Sequence, residues 1–431
     1  MSRMLTENKA WINEDELYKC VHCGFCLQVC PTYLESGLEM ESPRGRIALM
    51  KAVNESRLNV NQNVIAHWDL CIQCRACEAA CPSGVRYGSL IESTMSRVRS
   101  DRNRTFLQRL LYEISMKHLI PRQNLLSVAM GAVSLYVKSG LQKWVRNLRI
   151  LSIFPKALLS LENITPTFHG RPFNTFGEFA STSEERGKAF LLSGCVMPLS
   201  QGNQMRAAIK VLNYNGFTVK IPSEQVCCGA INSHVGDVET AKMLASKNIE
   251  AFESEEREPV IVCSAGCGAR MKEYGHLFGD NPDLRDKAEN LSDRILDINK
   301  FLNDMVFKIP DSSLSYSVTY QDSCHLANVQ GVKDEPREIL KSIRGINLKE
   351  MENSNICCGA GGTYMVTESE MSNAVLSMKM ECIAKTGAEV VVTANPGCFM
   401  QLETGIKNMG LDMSVKYITD LLDEAYSKDI G

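Results

Sequence analysis

Two cysteine runs of the same spacing constrain this chain more than any other feature. The first is Cys20-x2-Cys23-x2-Cys26-x3-Cys30-Pro31, and the pattern returns as Cys71-x2-Cys74-x2-Cys77-x3-Cys81-Pro82. A 4Fe–4S cube needs four thiolates converging from tetrahedral directions. Three cysteines two residues apart wrap one tight loop around three irons. The fourth cannot reach that cube, because the proline after it turns the chain away. In paired runs of this kind the fourth thiolate ligates the other cluster. The expected ligands are therefore Cys20, Cys23, Cys26 and Cys81 for one cluster, and Cys71, Cys74, Cys77 and Cys30 for a second. Zinc sites or plain buried thiols are the alternative, and two complete copies with both prolines argue against it. Clusters held in this way lie close together, which suits electron relay better than substrate chemistry.

The cysteine total also speaks for metal over disulfides. There are 18 cysteines in 431 residues, well below the roughly 8–10% of a small disulfide scaffold. The N-terminus is polar and lacks the apolar core of a secretory leader. In a reducing compartment, clustered cysteines are metal ligands more often than disulfides. The longest charge-free run of the hydrophobic middle, Gln123 to Val137, has 15 residues, short of the roughly 18–20 that span a bilayer. The expectation is a cytoplasmic protein whose contact with the inner face of the cell membrane, if it makes one, is peripheral. A formal net charge of −3 excludes general nucleic-acid binding.

No cysteine lies between positions 82 and 194. From Arg86 to Ser160 there are 13 Lys and Arg against 3 Asp and Glu, a local balance of +10. Apolar residues recur there at helical spacing (Leu107, Leu110, Leu111, Ile114), and Pro121 and Gly140 punctuate the segment. It reads as two or three helices with an apolar face and a basic one. Such a segment could lie on an anionic membrane, stay solvated, or dock an acidic partner. The Pro-, Gly-, Ser- and Thr-containing stretch from Leu161 to Arg186 reads as a linker.

The remainder is an internal repeat. AFLLSGC ends at Cys195, GFTVKIP leads to Cys227-Cys228-Gly229, and PVIVCSAGC ends at Cys267. The second copy runs from YSVTYQDSC at Cys324, through Cys357-Cys358-Gly359, to EVVVTANPGC at Cys398. The four cysteines repeat at offsets of 129, 130, 130 and 131 residues. Apolar runs alternating with helical patterns, such as 335–342 and 369–385, predict a small parallel α/β unit in each copy. The cysteines then fall at strand ends and in the following loops, where open α/β sheets place ligands. The candidate sites are Cys195, Cys227, Cys228 and Cys267, with Cys263 as an alternative fifth thiol, and Cys324, Cys357, Cys358 and Cys398. Adjacent cysteines suit two irons of one cluster better than one tetrahedral zinc, and the glycine lets the backbone approach closely. Buried free thiols are the competing reading.

Other signals are weaker. Ser42-Pro43-Arg44-Gly45-Arg46 could place guanidinium groups near an anionic cluster, which would raise its potential, or could simply be a basic turn. Cys382 reads as a core residue. Gly359-Ala360-Gly361-Gly362 lacks the third glycine of a dinucleotide loop. His234 and His325 lie near cysteines in sequence, although a lone histidine is more often structural. No nucleophile–base constellation stands out, so no catalytic residue is assigned.

The two runs, the basic helical connector and the two Cys-Cys-Gly (CCG) domains together resemble the iron–sulfur subunits of glycolate oxidase. The local strings SPRGRI, SGC at Cys195, SAGCG at Cys267, CCGAGGTY after Ile356 and ANPGC at Cys398 carry the resemblance over nearly the whole chain. It implies a complex with an FAD-containing dehydrogenase subunit that oxidises glycolate to glyoxylate, and a second flavoprotein-like subunit. This chain would relay the electrons to a quinone or another acceptor. The domain order is shared with heterodisulfide reductase subunits and with iron–sulfur subunits of anaerobic glycerol-3-phosphate dehydrogenase, and a D-lactate dehydrogenase subunit is a further alternative. Heterodisulfide reductases end each Cys-Cys-Gly domain in CxxC. Here Ser264 and Asn395 occupy the first of those positions, which argues against a five-thiolate catalytic cluster. A zinc-bound docking module is the remaining alternative for the C-terminal half.

The expected architecture is α+β and multidomain. Residues 1–100 form an α-helical ferredoxin-like domain with two 4Fe–4S clusters, and 101–185 form the basic helical connector and linker. Residues 186–310 and 311–431 form two repeated α/β domains, each holding a further cluster.

Overall fold

The computed structural model describes residues 12–147 and 167–430. The N-terminal residues 1–11, the end of the basic connector (148–160) and the start of the linker (161–166) lie outside the described residues. Among the described residues no strand precedes position 177, so the part bearing both cysteine runs is helical. Its helices start where local chemistry favours a start. Pro31 and Pro43 open the helices Pro31–Ser36 and Pro43–Asn54, where a missing N–H costs nothing. The Ser42 hydroxyl accepts the Gly45 N–H at 2.9 Å, and the Asn61 side chain accepts the Val64 N–H at 3.1 Å to open Gln62–Asp69. Met50, Trp68, Leu90 and Ile91 fill the core between these helices and Tyr87–Val98.

The Ser42–Arg46 segment is a tightly packed turn. A Cβ at Gly45 would sit 1.9 Å from the Glu39 carbonyl oxygen, so only glycine fits. Arg46 is 1% exposed. It pairs with Glu41 at 2.9 Å and donates to the His67 carbonyl at 2.7 Å.

The C-terminal half contains two sheets. The first has strands β1 (Gly177–Phe179), β2 (Gly187–Leu192), β3 (Phe217–Ile221), β4 (Val260–Val262) and β5 (Ile295–Asp297), in the order β1-β3-β2-β4-β5. The second has β6 (Tyr316–Tyr320), β7 (Ile346–Leu348), β8 (Val390–Val392) and β9 (Ser414–Lys416), in the order β7-β6-β8-β9. All pairings are parallel except β1 with β3. With β1 set aside, both sheets place their strands in the same order, second, first, third, fourth. The sequence repeat is thus a repeat of topology. The stretch expected as linker does more than link. Its residues 177–179 add the antiparallel edge strand that distinguishes the first copy.

The helices between second and third strands also correspond. Val238–Ala251 buries Ala241, Leu244, Ala245, Asn248 and Ile249, and Ser369–Thr386 buries Ser372, Val375, Leu376, Lys379 and Met380. Each pair is 131 residues apart.

The helical part packs against both repeats. Arg75 pairs with Glu273 at 2.6 Å and Arg270 with Glu92 at 2.9 Å. The Asn328 amide donates to the Cys74 carbonyl at 3.0 Å. In the connector, helices Phe106–Ile114, Gln123–Lys138 and Leu141–Asn147 are formed. Part of its positive charge is spent inside the molecule, since Arg99 pairs with Asp237 at 2.5 Å and Arg102 with Asp69 at 2.6 Å. The apolar residues Leu110, Leu111 and Ile114 lie exposed, while Tyr112 turns inward to donate to the Val235 carbonyl at 3.4 Å. That apolar stripe finds no cover among the described residues.

Gly45→Ala should cost about 3 kcal/mol, the upper end for overpacking, because backbone and not a mobile side chain blocks the methyl group. A lowered first unfolding transition in calorimetry of the iron-loaded chain checks this.

Candidate metal centres

Both cysteine loops share a backbone form. His22 and Gly24 in the first, and Gln73 and Arg75 in the second, take positive φ at matching places. Two left-handed residues per loop turn successive thiols inward. For His22, Gln73 and Arg75 this costs about 1–2 kcal/mol each, so the surroundings must hold it. Arg75 is held by Glu78 at 2.7 Å and by Glu273. Gln73 is held from both sides. Its side-chain amide donates to the His234 carbonyl at 2.8 Å, and its carbonyl accepts from His325 Nε2 at 2.9 Å. The His325 ring is therefore structural, and burial holds it down to about 4, while His234 contributes its backbone carbonyl and its ring lies 3.4 Å from Glu92.

The thiols gather in four sets. Cys20, Cys23, Cys26 and Cys81 line one pocket, which Cys77 also borders. Burial pushes Cys26 up to about 11, opposed by the Arg44 backbone N–H that reaches its sulfur. Cys30 sits with Cys71, Cys74 and Cys77. Burial raises all three, and the charge of Cys30 raises each further. Thr32 Oγ1 lies 3.3 Å from Cys30 Sγ, and the Tyr87 hydroxyl donates to Cys71 Sγ at 3.6 Å. Arg46 is near enough to Cys71 and Cys30 for their charges to raise it, although burial alone would lower it. Guanidinium groups thus stand near both sets, Arg46 beside the second and Arg44 beside Cys26 of the first, where it also pairs with Glu39.

In the repeats the thiols occupy the switch point of each sheet, between its first and third strands at their carboxyl ends. Cys195 interacts with Cys227, Cys227 with Cys228, and Cys228 with Cys267. Cys324, Cys357, Cys358 and Cys398 form the same chain of contacts. Cys324, Cys267 and Cys398 lie in the first turn of the helices Cys324–Val329, Ala265–Lys272 and Pro396–Met409, where the helix field favours a thiolate. The glycines of both Cys-Cys-Gly turns are obligatory. Gly229 and Gly359 have φ of +79° and +84°, and a Cβ on Gly359 would stand 2.4 Å from the Ser372 carbonyl oxygen.

Cys263 does not join its neighbours. It is buried among Asp297 and Asp420, and burial raises it well above the thiol range. Cys382 packs at the edge of the core, as expected. Ser264 and Asn395 join the two repeats. Asn395 Oδ1 accepts the Gly266 N–H at 3.1 Å and the Ser264 hydroxyl at 3.3 Å, and the Ala265 N–H reaches the Ala394 carbonyl at 3.0 Å. The Asn395 amide also donates to Cys398 Sγ at 3.7 Å.

The donor chemistry fits iron–sulfur clusters, with four unpaired thiols in each set. Among the described residues no three donor side chains close on a single ion.

Comparison with known proteins agrees. A family model described as a 4Fe-4S dicluster domain matches residues 16–85, and one described as a cysteine-rich domain matches 190–272 and 318–403. A third, described as the linker region of the glycolate oxidase iron-sulfur subunit, matches 107–165. The fold and its thiol sets define an iron–sulfur protein carrying several 4Fe–4S clusters. Relatives narrow the class. The chain is 39% identical to a probable glycolate oxidase iron-sulfur subunit of Bacillus subtilis, over 99% of this chain and 97% of that one. It is 28% identical to the glycolate oxidase iron-sulfur subunit of Escherichia coli, over 100% and 99%. It is 31% identical to lactate utilization protein A of Bacillus cytotoxicus, over 55% of this chain and 98% of that one. The chain belongs to the family of glycolate oxidase iron–sulfur subunits. A crystal structure of a hypothetical protein from Helicobacter pylori shares the fold, with a TM-score of 0.55 at 9% identity, over 96% of this chain and 72% of that one.

Cys30→Ala should remove the cluster of Cys71, Cys74 and Cys77, and Cys81→Ala the other. Iron content and low-temperature EPR of each variant check this. Loss from the variant's own run would reverse the assignment.

Proposed function

We propose that this chain is the electron-transfer subunit of a flavin-dependent 2-hydroxyacid dehydrogenase that oxidises glycolate. It would take electrons from an FAD-containing partner, alongside a second flavoprotein-like subunit, and pass them to a quinone or another acceptor. The observation that carries this is the proximity of three of the four thiol sets. Cys26 of the first loop lies within reach of the charge of Cys30 in the second set, and Cys74 of the second set packs in one cluster with Cys324 and Cys357 of the second repeat. In this reading four 4Fe–4S clusters, held by the four sets, supply one-electron chemistry. The chain's own residues position them. The left-handed loops aim the thiolates, helix N-termini and Arg46 offset their charge, and the packed repeats exclude water. Cys23 is exposed, with Val21 (68%) and Phe25 (64%) beside it. This rim suits contact with the flavin subunit. A disulfide reductase of the heterodisulfide type fits less well, because Ser264 and Asn395 are spent in joining the repeats.

The experiment is purification with native partners under anaerobic conditions, followed by addition of glycolate or D-lactate. Bleaching of the bound flavin by glycolate supports the reading, bleaching by lactate alone moves it to lactate, and absence of any flavoprotein overturns it. The chain should hold about sixteen irons, four per four-cysteine cluster. Replacing both Cys228 and Cys358 by alanine should leave about eight. An unchanged iron content would remove the clusters from the repeats.

No helix among the described residues is long and apolar enough to cross a membrane. The connector's exposed Phe106, Leu111, Val128, Leu135 and Trp144, with its basic balance, suit peripheral contact with an anionic membrane. Co-sedimentation with anionic vesicles at low salt, lost at high salt, is the expected result. No binding at low salt would remove the membrane contact.

A further inference from the structure

The two repeats differ at one buried position beside their thiol sets. Along the paired helices, Asn248 of the first copy corresponds to Lys379 of the second, 131 residues on. Both are wholly buried. Both hold the loop that delivers the Cys-Cys-Gly turn. Asn248 does so with neutral bonds, accepting the Val226 N–H at 2.9 Å and donating to the Cys227 carbonyl at 3.1 Å. Lys379 Nζ donates to the carbonyls of Asn353 and Ser354, each at 2.9 Å, with Met351 Sδ at 3.9 Å. Three acceptors surround that nitrogen. A neutral amine has two N–H groups and would turn its lone pair on the third acceptor, whereas an ammonium satisfies all three.

No carboxylate pairs with Lys379 among the described residues. Nearby Asp322 is already held by Arg337 at 2.8 Å. Burial pulls the Lys379 ammonium below the ordinary lysine range, while the charges that face it, Cys358, Cys357, Cys382 and that Asp322, raise it in turn. Among the described residues the first copy shows no equivalent free charge. Its set is flanked by Asn248 and by the Tyr274 hydroxyl, which donates to the Cys228 carbonyl at 2.9 Å, while Arg270 is neutralised by Glu92.

A buried cation stabilises the more negative, reduced state of an adjacent cluster, because charges in a low-dielectric interior are weakly screened. We propose that Lys379 is a positioning residue that makes the second repeat's cluster site the higher in reduction potential of the two repeat sites. The proposal rests on the ligand assignment given above for the repeats. It makes the second copy the better electron acceptor of the two. Both copies touch the second cysteine loop, but it is the second copy whose thiols pack beside one of that loop's, Cys324 and Cys357 with Cys74.

The test is a potentiometric titration of the anaerobically prepared, iron-loaded chain, followed by EPR, for Lys379→Gln and Lys379→Arg. Iron is counted first. About eight irons in the unaltered chain would mean the repeats hold no cluster, and the functional reading would fail before the present one is reached. With about sixteen, Lys379→Gln should lower the midpoint of one cluster by a tenfold change in reduced fraction, 59 mV for one electron. Lys379→Arg, which keeps the charge, should leave it in place. Unchanged midpoints in Lys379→Gln would overturn the proposal. If Lys379→Gln loses four irons, Lys379→Arg decides. An unshifted midpoint supports the charge, and a lowered one shows that only the lysine's shape matters.

Discussion

Sixteen thiols are gathered in fours, half of them buried and all but Cys23 at least partly so, and that is the physical condition on which the rest depends. Four thiolates brought together away from water repel one another and lose their hydration. The free thiols answer by holding their protons, as burial does to Cys71, Cys74 and Cys77. A bound metal centre takes up that charge, so binding of iron and stable packing are one event in this chain. The surroundings supply the remainder of the compensation. Helix first turns carry Cys267, Cys324 and Cys398, and Arg46 sits fully buried beside Cys30 and Cys71. The Glu41 carboxylate keeps Arg46 in place, and His67 Nδ1 contacts Glu41 at 2.5 Å. A structural ion pair thus doubles as the electrostatic wall of a metal site.

Much of this was legible in the sequence, because cluster ligation is local. Three thiols two residues apart must share a loop, and the reach of that loop predicts that Cys81 lies beside the first run and Cys30 beside the second. The repeat was legible for a different reason. A parallel α/β unit returns its cysteines to the same strand ends, so constant offsets in sequence become equivalent places in space. The helix expected over 335–342 forms over Glu335–Ser342.

What was not legible depends on partners distant in sequence. Ser264 and Asn395 read as missing ligands, yet they meet each other across the two repeats. Cys263 read as a spare thiol for its set, but a one-residue shift at the end of β4 sends it to the core instead. Strand β1 is three residues in a polar stretch, and only the open edge of β3 makes it a strand. The connector's apolar stripe was correctly read as helical. Its burial was not forthcoming, because periodicity reports that a face is apolar and says nothing about whether this chain covers it. Lys379 was invisible for the same reason, as one basic residue in a helix of mixed pattern.

The two cysteine loops begin from the same backbone and are used differently. The second has Gln73 and Arg75 at its left-handed positions, and each is tied to another part of the molecule, Gln73 to both repeats at once. Its strain is carried by the packed body, so the loop is fixed and its thiols cannot move apart without opening that interface. In the first loop the second left-handed position is Gly24, which carries little strain, and the loop lies under Arg44 at the surface with Cys23 exposed. Substituting a larger residue at Gly24 would meet Arg44 Nη1 at 3.1 Å, so even this lighter loop is closed on one side. An electron carrier needs both arrangements. One site must reach a surface that a partner can approach, and the next must be held at a fixed place from the sites beyond it. The exchange of glycine for arginine at one position of a repeated loop is enough to separate these roles.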